Sequence, residues 1–265
     1  MHGLPILLCA SSLLLLAATA NADNLTFYMR IKCPDDINYT PGSAFQANLD
    51  VLLSSLPNAA AASPAGFATN AIGSSPDQAY GLAQCRGDIS ASDCRACLND
   101  SAHRVANECP GKRSSVLIYE GCFLRYSSSN FSGEVDMSTP FYIPGNATQP
   151  PQFNTLLGEL MSNLTEKAYG SPRMFAAGTA KYTAFETIYG MAQCTRDLAR
   201  DDCHACLANA VSNIQTQENC NGRQSGRLFS WSCYIRFQVT PFYDAQAAEA
   251  AMSPAPGGGP PINGK

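Results

Sequence analysis

Cysteines are the residues of this chain whose type and spacing could do chemistry. Cys85, Cys94 and Cys97 lie within the stretch "AYGLAQCRGDISASDCRACL", residues 79–98. Three cysteines at this spacing could bind zinc, form a redox-active Cys-x-x-Cys pair, or supply half of a disulfide framework. The choice depends on the compartment in which the chain folds and on the elements that hold the cysteines.

The N-terminal segment indicates a secreted protein. Residues 4–18 form an uncharged apolar run, and the following "ATANA" fits the cleavage pattern of a secretory signal peptide, which we assign to residues 1–22. A membrane anchor is the alternative, but this run is short for a transmembrane helix. We therefore expect a secreted, extracellular protein without membrane insertion. Thiols in an oxidising compartment end as disulfides, which favours the disulfide framework.

Six Asn-x-Ser/Thr sequons are consistent with that route. They lie at Asn24, Asn38, Asn99, Asn130, Asn146 and Asn163. Each motif alone is a weak signal, but six of them behind a signal peptide predict a glycosylated surface.

An internal repeat predicts the domain organisation. The first motif recurs as "IYGMAQCTRDLARDDCHACL", residues 188–207, with the same Cys-x8-Cys-x2-Cys spacing. Each copy continues to two cysteines that lie 13 positions apart, Cys109 and Cys122 and then Cys220 and Cys233. Repeats of this length are domains rather than solenoid units. We predict a first domain at 23–132, a linker at 133–150, a second domain at 151–243 and a disordered Ala/Pro/Gly-rich tail at 244–265.

The elements that must position these cysteines are helices and short strands. An apolar stripe from Phe45 to Leu56 predicts an amphipathic helix with Ser43 as its N-cap, and residues 153–164 repeat the pattern. A second helix is predicted to start beside each cysteine cluster. Aromatic and β-branched segments elsewhere are typical of short strands. The sequence therefore favours an α+β fold in which an antiparallel sheet carries helices on one face.

Taken together, these motifs resemble the ginkbilobin-homologous domain of plants, also called the salt-stress-response or antifungal domain. The resemblance rests on the two copies of "YG[LM]AQC" with their cysteine spacing, and it covers about residues 24–243. Two such domains in tandem are similar to plant cysteine-rich repeat secretory proteins and to the ectodomains of cysteine-rich receptor-like kinases. The resemblance implies a five-stranded antiparallel sheet and two helices in each domain.

The resemblance also implies a disulfide pairing, which the cysteine count alone leaves open. The implied pairs are Cys33–Cys109, Cys85–Cys94, Cys97–Cys122, Cys194–Cys203 and Cys206–Cys233. Because Cys94 and Cys97 then join different cysteines, zinc binding and redox exchange are both disfavoured. Cys220 has no partner in this scheme, so we expect a buried, unreactive thiol, with an intermolecular disulfide as the alternative.

No motif nominates a catalytic centre, a metal site or a cofactor. The histidines that follow the signal peptide, His103 and His204, occupy different positions in the two repeats and lie in no nucleophile or metal motif. Nothing nominates a glycosidase-like pair of carboxylates either. A net charge of −4 without a Lys/Arg cluster argues against nucleic acid as a partner. We predict a binding protein and not an enzyme.

The resemblance further implies where a sugar would bind. Ginkbilobin-like proteins bind mannose through an Asn just after the first cysteine, an Arg seven positions after the fifth and a Glu five positions after the sixth. In the first repeat these positions hold Pro34, Val116 and Ser127, which predicts that the site is lost. In the second repeat Arg227 keeps the arginine, Gln238 replaces the glutamate, and Asn146 lies near the asparagine position. We expect any carbohydrate binding to depend on Arg227.

Two functions follow from the resemblance. The first is a secreted defence and stress-response protein of the apoplast, with an antifungal role, that binds a carbohydrate such as mannose or a fungal protein. The alternative is a receptor-like extracellular module that binds a receptor kinase ectodomain or another ligand and modulates growth or stress signalling. Trp231, the sole tryptophan, could stack on a sugar ring, but its strand position near Cys233 favours core packing.

Overall fold

The computed structural model describes residues 25–34, 38–137, 141–145, 150–216 and 222–253. The predicted signal peptide, the sequons Asn24 and Asn146, and Cys220, which we expect to be unpaired, lie outside these residues. Among the residues with described structure, no helix is both long and apolar enough to cross a membrane.

The first domain is an antiparallel sheet with two helices packed on one of its faces. Its elements are β1 (Tyr28–Lys32), α1 (Ala44–Ala62), β2 (Phe67–Ile72), β3 (Ala79–Cys85), α2 (Ala91–Glu108), β4 (Ser114–Tyr119) and β5 (Cys122–Ser127). The five strands are ordered β1-β4-β5-β3-β2.

The second domain repeats this topology. Its elements are β6 (Phe141–Pro144), α3 (Pro151–Gly170), β7 (Phe175–Lys181), β8 (Thr187–Cys194), α4 (Arg200–Thr216), β9 (Gly226–Phe229), β10 (Cys233–Gln238) and a further helix, α5 (Ala245–Met252). The strand order β6-β9-β10-β8-β7 matches that of the first sheet. Two five-stranded antiparallel sheets with their helices confirm the predicted fold class.

Two domain boundaries differ from the sequence prediction. β6 lies inside the predicted linker at 133–150, where it pairs with β9 as the edge strand of the second sheet. α5 lies inside the predicted disordered tail at 244–265, with Asp244 accepting a hydrogen bond from the Ala247 N–H and with Ala248 buried. The composition misled the prediction because alanine, which dilutes a hydrophobic pattern, is also the strongest helix former.

Local sequence accounts for how the helices meet the sheets. The Ser43 hydroxyl accepts the Gln46 N–H at the start of α1, as predicted, and α3 starts with Pro151, whose missing N–H costs nothing at a helix start. The motif glycines Gly81 and Gly190 face α1 and α3. A Cβ on Gly81 would lie 2.5 Å from the Leu56 Cδ1 atom, so only glycine permits this close packing.

Five disulfides fasten helices to strands. The structure contains Cys33–Cys109, Cys85–Cys94, Cys97–Cys122, Cys194–Cys203 and Cys206–Cys233, the pairs that the resemblance implies. In each domain one disulfide joins the third strand in sequence to the start of the following helix. Another joins that helix to the last strand in sequence, β5 or β10.

The two sheets pack against each other through the faces that the helices leave uncovered. Met29, Val116 and Ile118 of the first domain form one buried apolar cluster with Phe229 and Trp231 of the second. The interface therefore buries the side of each sheet that would otherwise expose apolar residues to water.

A reciprocal pair of glutamines lies at the centre of this interface. Gln84 and Gln193 come from the two copies of the "YG[LM]AQC" motif, and both are buried. Each donates its side-chain N–H to the carbonyl of the cysteine that follows the other glutamine, at 2.8 and 3.0 Å. Their Oε1 atoms accept the backbone N–H groups of Arg196 and Gly87, at 3.0 and 3.3 Å. The two domains are thus related by a pseudo-twofold axis through the glutamines.

We predict that reduction unfolds the first domain. The Cys33–Cys109 disulfide spans 76 positions, and the chain-entropy model assigns a loop of that length about 4 kcal/mol of stabilisation. That is a large part of the free energy of unfolding of a small domain. Thermal melts with and without reductant, and of a Cys33→Ala/Cys109→Ala variant, measure the effect. An unchanged melting temperature in both would contradict the prediction.

Candidate functional site

The three first-repeat positions that the resemblance relates to sugar binding lie around one cleft. Pro34 follows β1, Val116 lies in β4 and Ser127 ends β5, and all three line a cavity of about 130 Å³. Trp231 of the second domain forms part of its wall. The remaining lining residues are Lys32, Ser114, Ser115, Arg125, Tyr126 and Asp136.

Strand register brings the cationic side chains of this cleft together. Val116 pairs directly with Lys32 of β1 on one side and with Arg125 of β5 on the other. Residues directly opposite each other in neighbouring strands point to the same face of a sheet. Lys32, Val116 and Arg125 therefore form a row across the first sheet on the face turned towards the second domain.

Arg125 has unengaged hydrogen-bond donors. Its guanidinium lies 4.2 Å from the centre of the Phe131 ring, and it forms no hydrogen bond or ion pair with the described residues. Burial lowers the pKa of Arg125, while attraction to the carboxylates of Asp136, Asp197 and Glu134 acts in the opposite direction. A guanidinium that is free to donate in a partly buried cleft can bind the oxygens of a ligand.

Trp231 packs in the interface as the sequence analysis favours, since only 3% of its surface is exposed. Its indole also borders the cleft, with the Lys32 Nζ atom 5.4 Å from the ring centre. The Nε1 atom is buried without a hydrogen-bond partner among the described residues. A buried indole N–H usually has an acceptor, so this donor is an exception within the domain interface.

Of the second-repeat candidates, Arg227 lies in the domain interface. The Arg227 Nε atom donates to Glu120 Oε2 at 2.8 Å. Gln238 accepts a hydrogen bond from Arg236 at 2.8 Å and donates one to the Thr240 hydroxyl at 2.9 Å. The structure therefore engages Arg227 and Gln238 in contacts within the protein, and Asn146 lies outside the described residues.

Glu120 is the centre of a buried ion cluster that the sequence analysis missed. Its carboxylate, with a side chain that is 2% exposed, accepts hydrogen bonds from Arg86 at 3.1 Å and from Arg236 and Arg227 of the other domain. The Tyr234 hydroxyl donates to it at 3.2 Å. The available signal was a lone acidic residue in the apolar stretch "SSVLIYEGCFL", because an isolated charge between buried strands requires a partner.

Arg86 extends the cluster to a second carboxylate. It pairs with Asp88 through two hydrogen bonds of 2.6 and 2.9 Å and donates to the Phe242 carbonyl at 3.1 Å. Burial alone would lower the pKa of Arg86, but attraction to Asp88 and Glu120 outweighs it and raises the pKa. Burial, together with the Glu120 charge, raises the pKa of the Tyr234 hydroxyl.

The other sequence candidates lie on the surface. The sequons Asn38, Asn99, Asn130 and Asn163 are exposed, as is His103. His204 lies 2.9 Å from Glu166 Oε1 on the surface of the second domain. Within the described part of the chain, no group of three or more His, Cys, Asp or Glu side chains is placed to hold a metal ion.

Fold and interface together define a tandem module of two α+β domains, each of which contains its own disulfides. The crystal structure of the tandem DUF26 ectodomain of the Arabidopsis thaliana cysteine-rich receptor-like protein PDLP8 superposes with a TM-score of 0.70. It is 26% identical, and the match covers 82% of this chain and 100% of that chain. The chain belongs to the salt stress response/antifungal family, whose model matches residues 32–129 and 142–240.

Several relatives share this organisation. An antimicrobial ginkbilobin-2-like protein of Castanea crenata is 36% identical over 88% of this chain and 96% of its own length. Cysteine-rich repeat secretory protein 38 of Arabidopsis thaliana is 33% identical over 90% of this chain and 94% of its own length. Cysteine-rich receptor-like protein kinase 8 is 34% identical, but this chain spans only 40% of its length. The family resemblance read from the cysteine motifs is confirmed.

We predict that Glu120→Gln destabilises the protein by about 3 kcal/mol, because it removes a carboxylate charge with which the buried Arg236 pairs. The same variant should also loosen the contact between the domains, since Arg227 and Arg236 both reach Glu120 from the second domain. Urea unfolding and limited proteolysis measure the two effects. The control is Glu134→Gln, which changes an exposed carboxylate. Equal stability of the two variants would contradict a structural role for the cluster.

Proposed function

We propose that the protein is a secreted, non-catalytic binding protein of the plant apoplast that acts in defence or stress response by binding a carbohydrate. The observation that carries the proposal is that Pro34, Val116 and Ser127, the positions related to sugar binding by the family resemblance, surround one cleft that the unengaged guanidinium of Arg125 also lines. The family membership and the antimicrobial relative support the defence role.

The chemistry of the cleft suits a neutral sugar. Arg125 and Lys32 can donate hydrogen bonds to a ligand, and Asp136 places a carboxylate, which accepts hydrogen bonds, in the lining of the cleft. Sugar hydroxyls both donate and accept, so they can satisfy such a mixed set. An apolar ligand would leave the donors unpaired, which costs about 1–3 kcal/mol for each group. An anionic ligand would be repelled by Asp136 and by the two further carboxylates near Arg125.

The size of the cleft limits how much of a glycan it can hold. Its volume of about 130 Å³ is close to that of engineered cavities that bind one benzene molecule, roughly 150 Å³. We therefore propose that it binds one terminal sugar unit, mannose included, with the rest of the glycan outside. The ligand would belong to a fungal surface glycan or glycoprotein.

We propose the first repeat as the sugar site, in place of the second repeat that the sequence favours. Arg227 is the second-repeat residue that keeps the family arginine, but its Nε atom is bonded to Glu120. This bond fixes the guanidinium against the buried Glu120 carboxylate and leaves fewer of its donors for a sugar. Arg125 forms no hydrogen bond or ion pair with the described residues. This supports the first-repeat cleft over the second-repeat remnant.

We predict that Arg125→Met weakens binding by about tenfold or more, because a hydrogen bond from a charged group is worth about 1.5–3 kcal/mol. A glycan array on the full chain selects the sugar, and calorimetric titration of that sugar, with mannose beside it, gives the affinity. Arg95→Met, which changes an exposed arginine of α2, is the matched control.

Three results would count against this assignment. The array could bind nothing, or Arg125→Met could bind as tightly as the unchanged protein, and either outcome removes carbohydrate recognition by the cleft. Loss of binding in Arg227→Gln alone would instead locate the site in the second repeat. Thermal melts of each variant establish that the comparison is made between folded proteins.

The receptor-like module is the second candidate function. Two similarities support it. The structural match covers 100% of the PDLP8 ectodomain, and the sequence match covers 40% of the length of cysteine-rich receptor-like protein kinase 8. A protein with this role would bind a purified receptor kinase ectodomain directly, and the contact would tolerate Arg125→Met. Biolayer interferometry against a panel of such ectodomains tests the idea, and the absence of measurable binding across the panel would reject it.

A further inference from the structure

The two domains differ in what covers the sheet face opposite the paired helices, beside the third strand in sequence (β3 and β8). In the second domain, α5 packs on β7 and β8 and forms a buried cluster with Phe175, Ala177 and Met191. Tyr189 is half-buried beside this cluster. This part of the second sheet is therefore shielded from water by a helix of its own chain.

The equivalent part of the first sheet has no such helix. Tyr80 and Leu82 hold the positions of Tyr189 and Met191 in the repeated motif. After Phe131 the chain crosses to the second domain, where the Gly133 N–H donates to Asp197 at 3.0 Å. A cavity of about 250 Å³ remains where a helix would lie. Its lining residues are Thr69, Asn70, Ala71, Tyr80, Gly81 and the segment 130–132.

That segment, Asn130-Phe131-Ser132, is an N-glycosylation sequon on the rim of the cavity. The Asn130 Oδ1 atom accepts the Ser132 N–H at 3.0 Å, forming an Asx-turn. The Asn130 Nδ2 atom, which is the atom that carries an N-linked glycan, donates to none of the described residues. Phe131, buried under the Arg125 guanidinium, fixes the segment against the sheet.

We propose that Asn130 carries an N-glycan whose first N-acetylglucosamine occupies this cavity. In the secretory pathway a lipid-linked oligosaccharide supplies the sugar. A bond forms from Asn130 Nδ2 to the sugar C1, the bond from C1 to the lipid diphosphate breaks, and the proton leaves Nδ2 with the diphosphate. The sugar then covers the half-buried ring of Tyr80, while Leu82, at the position of Met191, is already buried by the protein.

The lining of the cavity fits this occupant better than it fits an apolar helix. Thr69 and Ser132 carry hydroxyl groups, which can bond the acetamide and hydroxyls of the sugar. The half-buried ring of Tyr80 offers an aromatic surface for the apolar face of the sugar ring. In the second domain the residues under α5 are largely apolar instead.

The experiment uses the full chain secreted from a eukaryotic host that adds N-glycans. Peptide mapping after deglycosylation in ¹⁸O water measures occupancy of each sequon. An endoglycosidase then trims every glycan to one N-acetylglucosamine, and thermal melts follow. Ser132→Ala removes the sequon while keeping the backbone N–H that forms the Asx-turn, so it separates loss of the sugar from loss of the turn. Asn163→Gln, at an exposed position of α3, is the matched control.

We expect Asn130 to be occupied and the trimmed protein to keep the melting temperature of the fully glycosylated one. Ser132→Ala should lower it by about 2–4 °C, and Asn163→Gln should leave it unchanged. Because the sugar and the ring contact each other, the effect of Tyr80→Thr should depend on the glycan. The substitution should lower the melting temperature by more in the glycosylated protein than in the Ser132→Ala background, where the glycan is absent. An unoccupied Asn130, an unchanged melting temperature in Ser132→Ala, or additive effects of the two substitutions would each overturn the proposal.

Discussion

The reciprocal hydrogen bonds of Gln84 and Gln193 set the geometry on which the rest of the molecule depends. Each sheet has one face covered by helices and one apolar face that must find another cover. Packing those faces together also buries backbone carbonyls beside the disulfides, and buried polar groups must be hydrogen-bonded. A glutamine can donate to one backbone group and accept from another. Two of them, related by the pseudo-twofold axis, satisfy four backbone groups in one register of the domains.

Around this axis the two repeats have different residues at equivalent positions, so the two sides of the interface differ in structure. Glu120 in the first repeat is equivalent to Trp231 in the second. On one side of the axis Glu120 receives the buried Arg236, so the arginine has a partner and the domains are held together. On the other side Trp231 takes the place of the carboxylate, and Arg125, the equivalent of Arg236, lines the cleft without an ion-pair partner among the described residues. The difference at this one position thus gives an ion cluster on one side and a cleft on the other.

The sequence predicts the elements within each repeat better than it predicts what joins the repeats. The apolar stripe after Ser43 and the glycine of "YG[LM]AQC" act locally, and the helix start and the close packing at Gly81 follow from them. The disulfide pairing came from the family resemblance, since spacing alone does not select it. The cleft was not predictable because Trp231 reaches Lys32 and Arg125 only across the domain interface. β6 and α5 were missed for a related reason, since a short edge strand and an alanine-rich helix are stabilised by the sheet they pack on rather than by their own pattern.

Some residues of the cleft lie where they contribute little to the stability of the fold. Lys32 is exposed at the end of β1, Pro34 follows that strand, and Ser127 is the last residue of β5. Val116, Tyr126 and Trp231 are buried instead and belong to the apolar clusters. Side chains at the strand ends can therefore change without opening a cavity in a core, which is the costly effect of most buried substitutions. A scaffold of this kind can keep one domain arrangement while the side chains at the strand ends around its cleft vary.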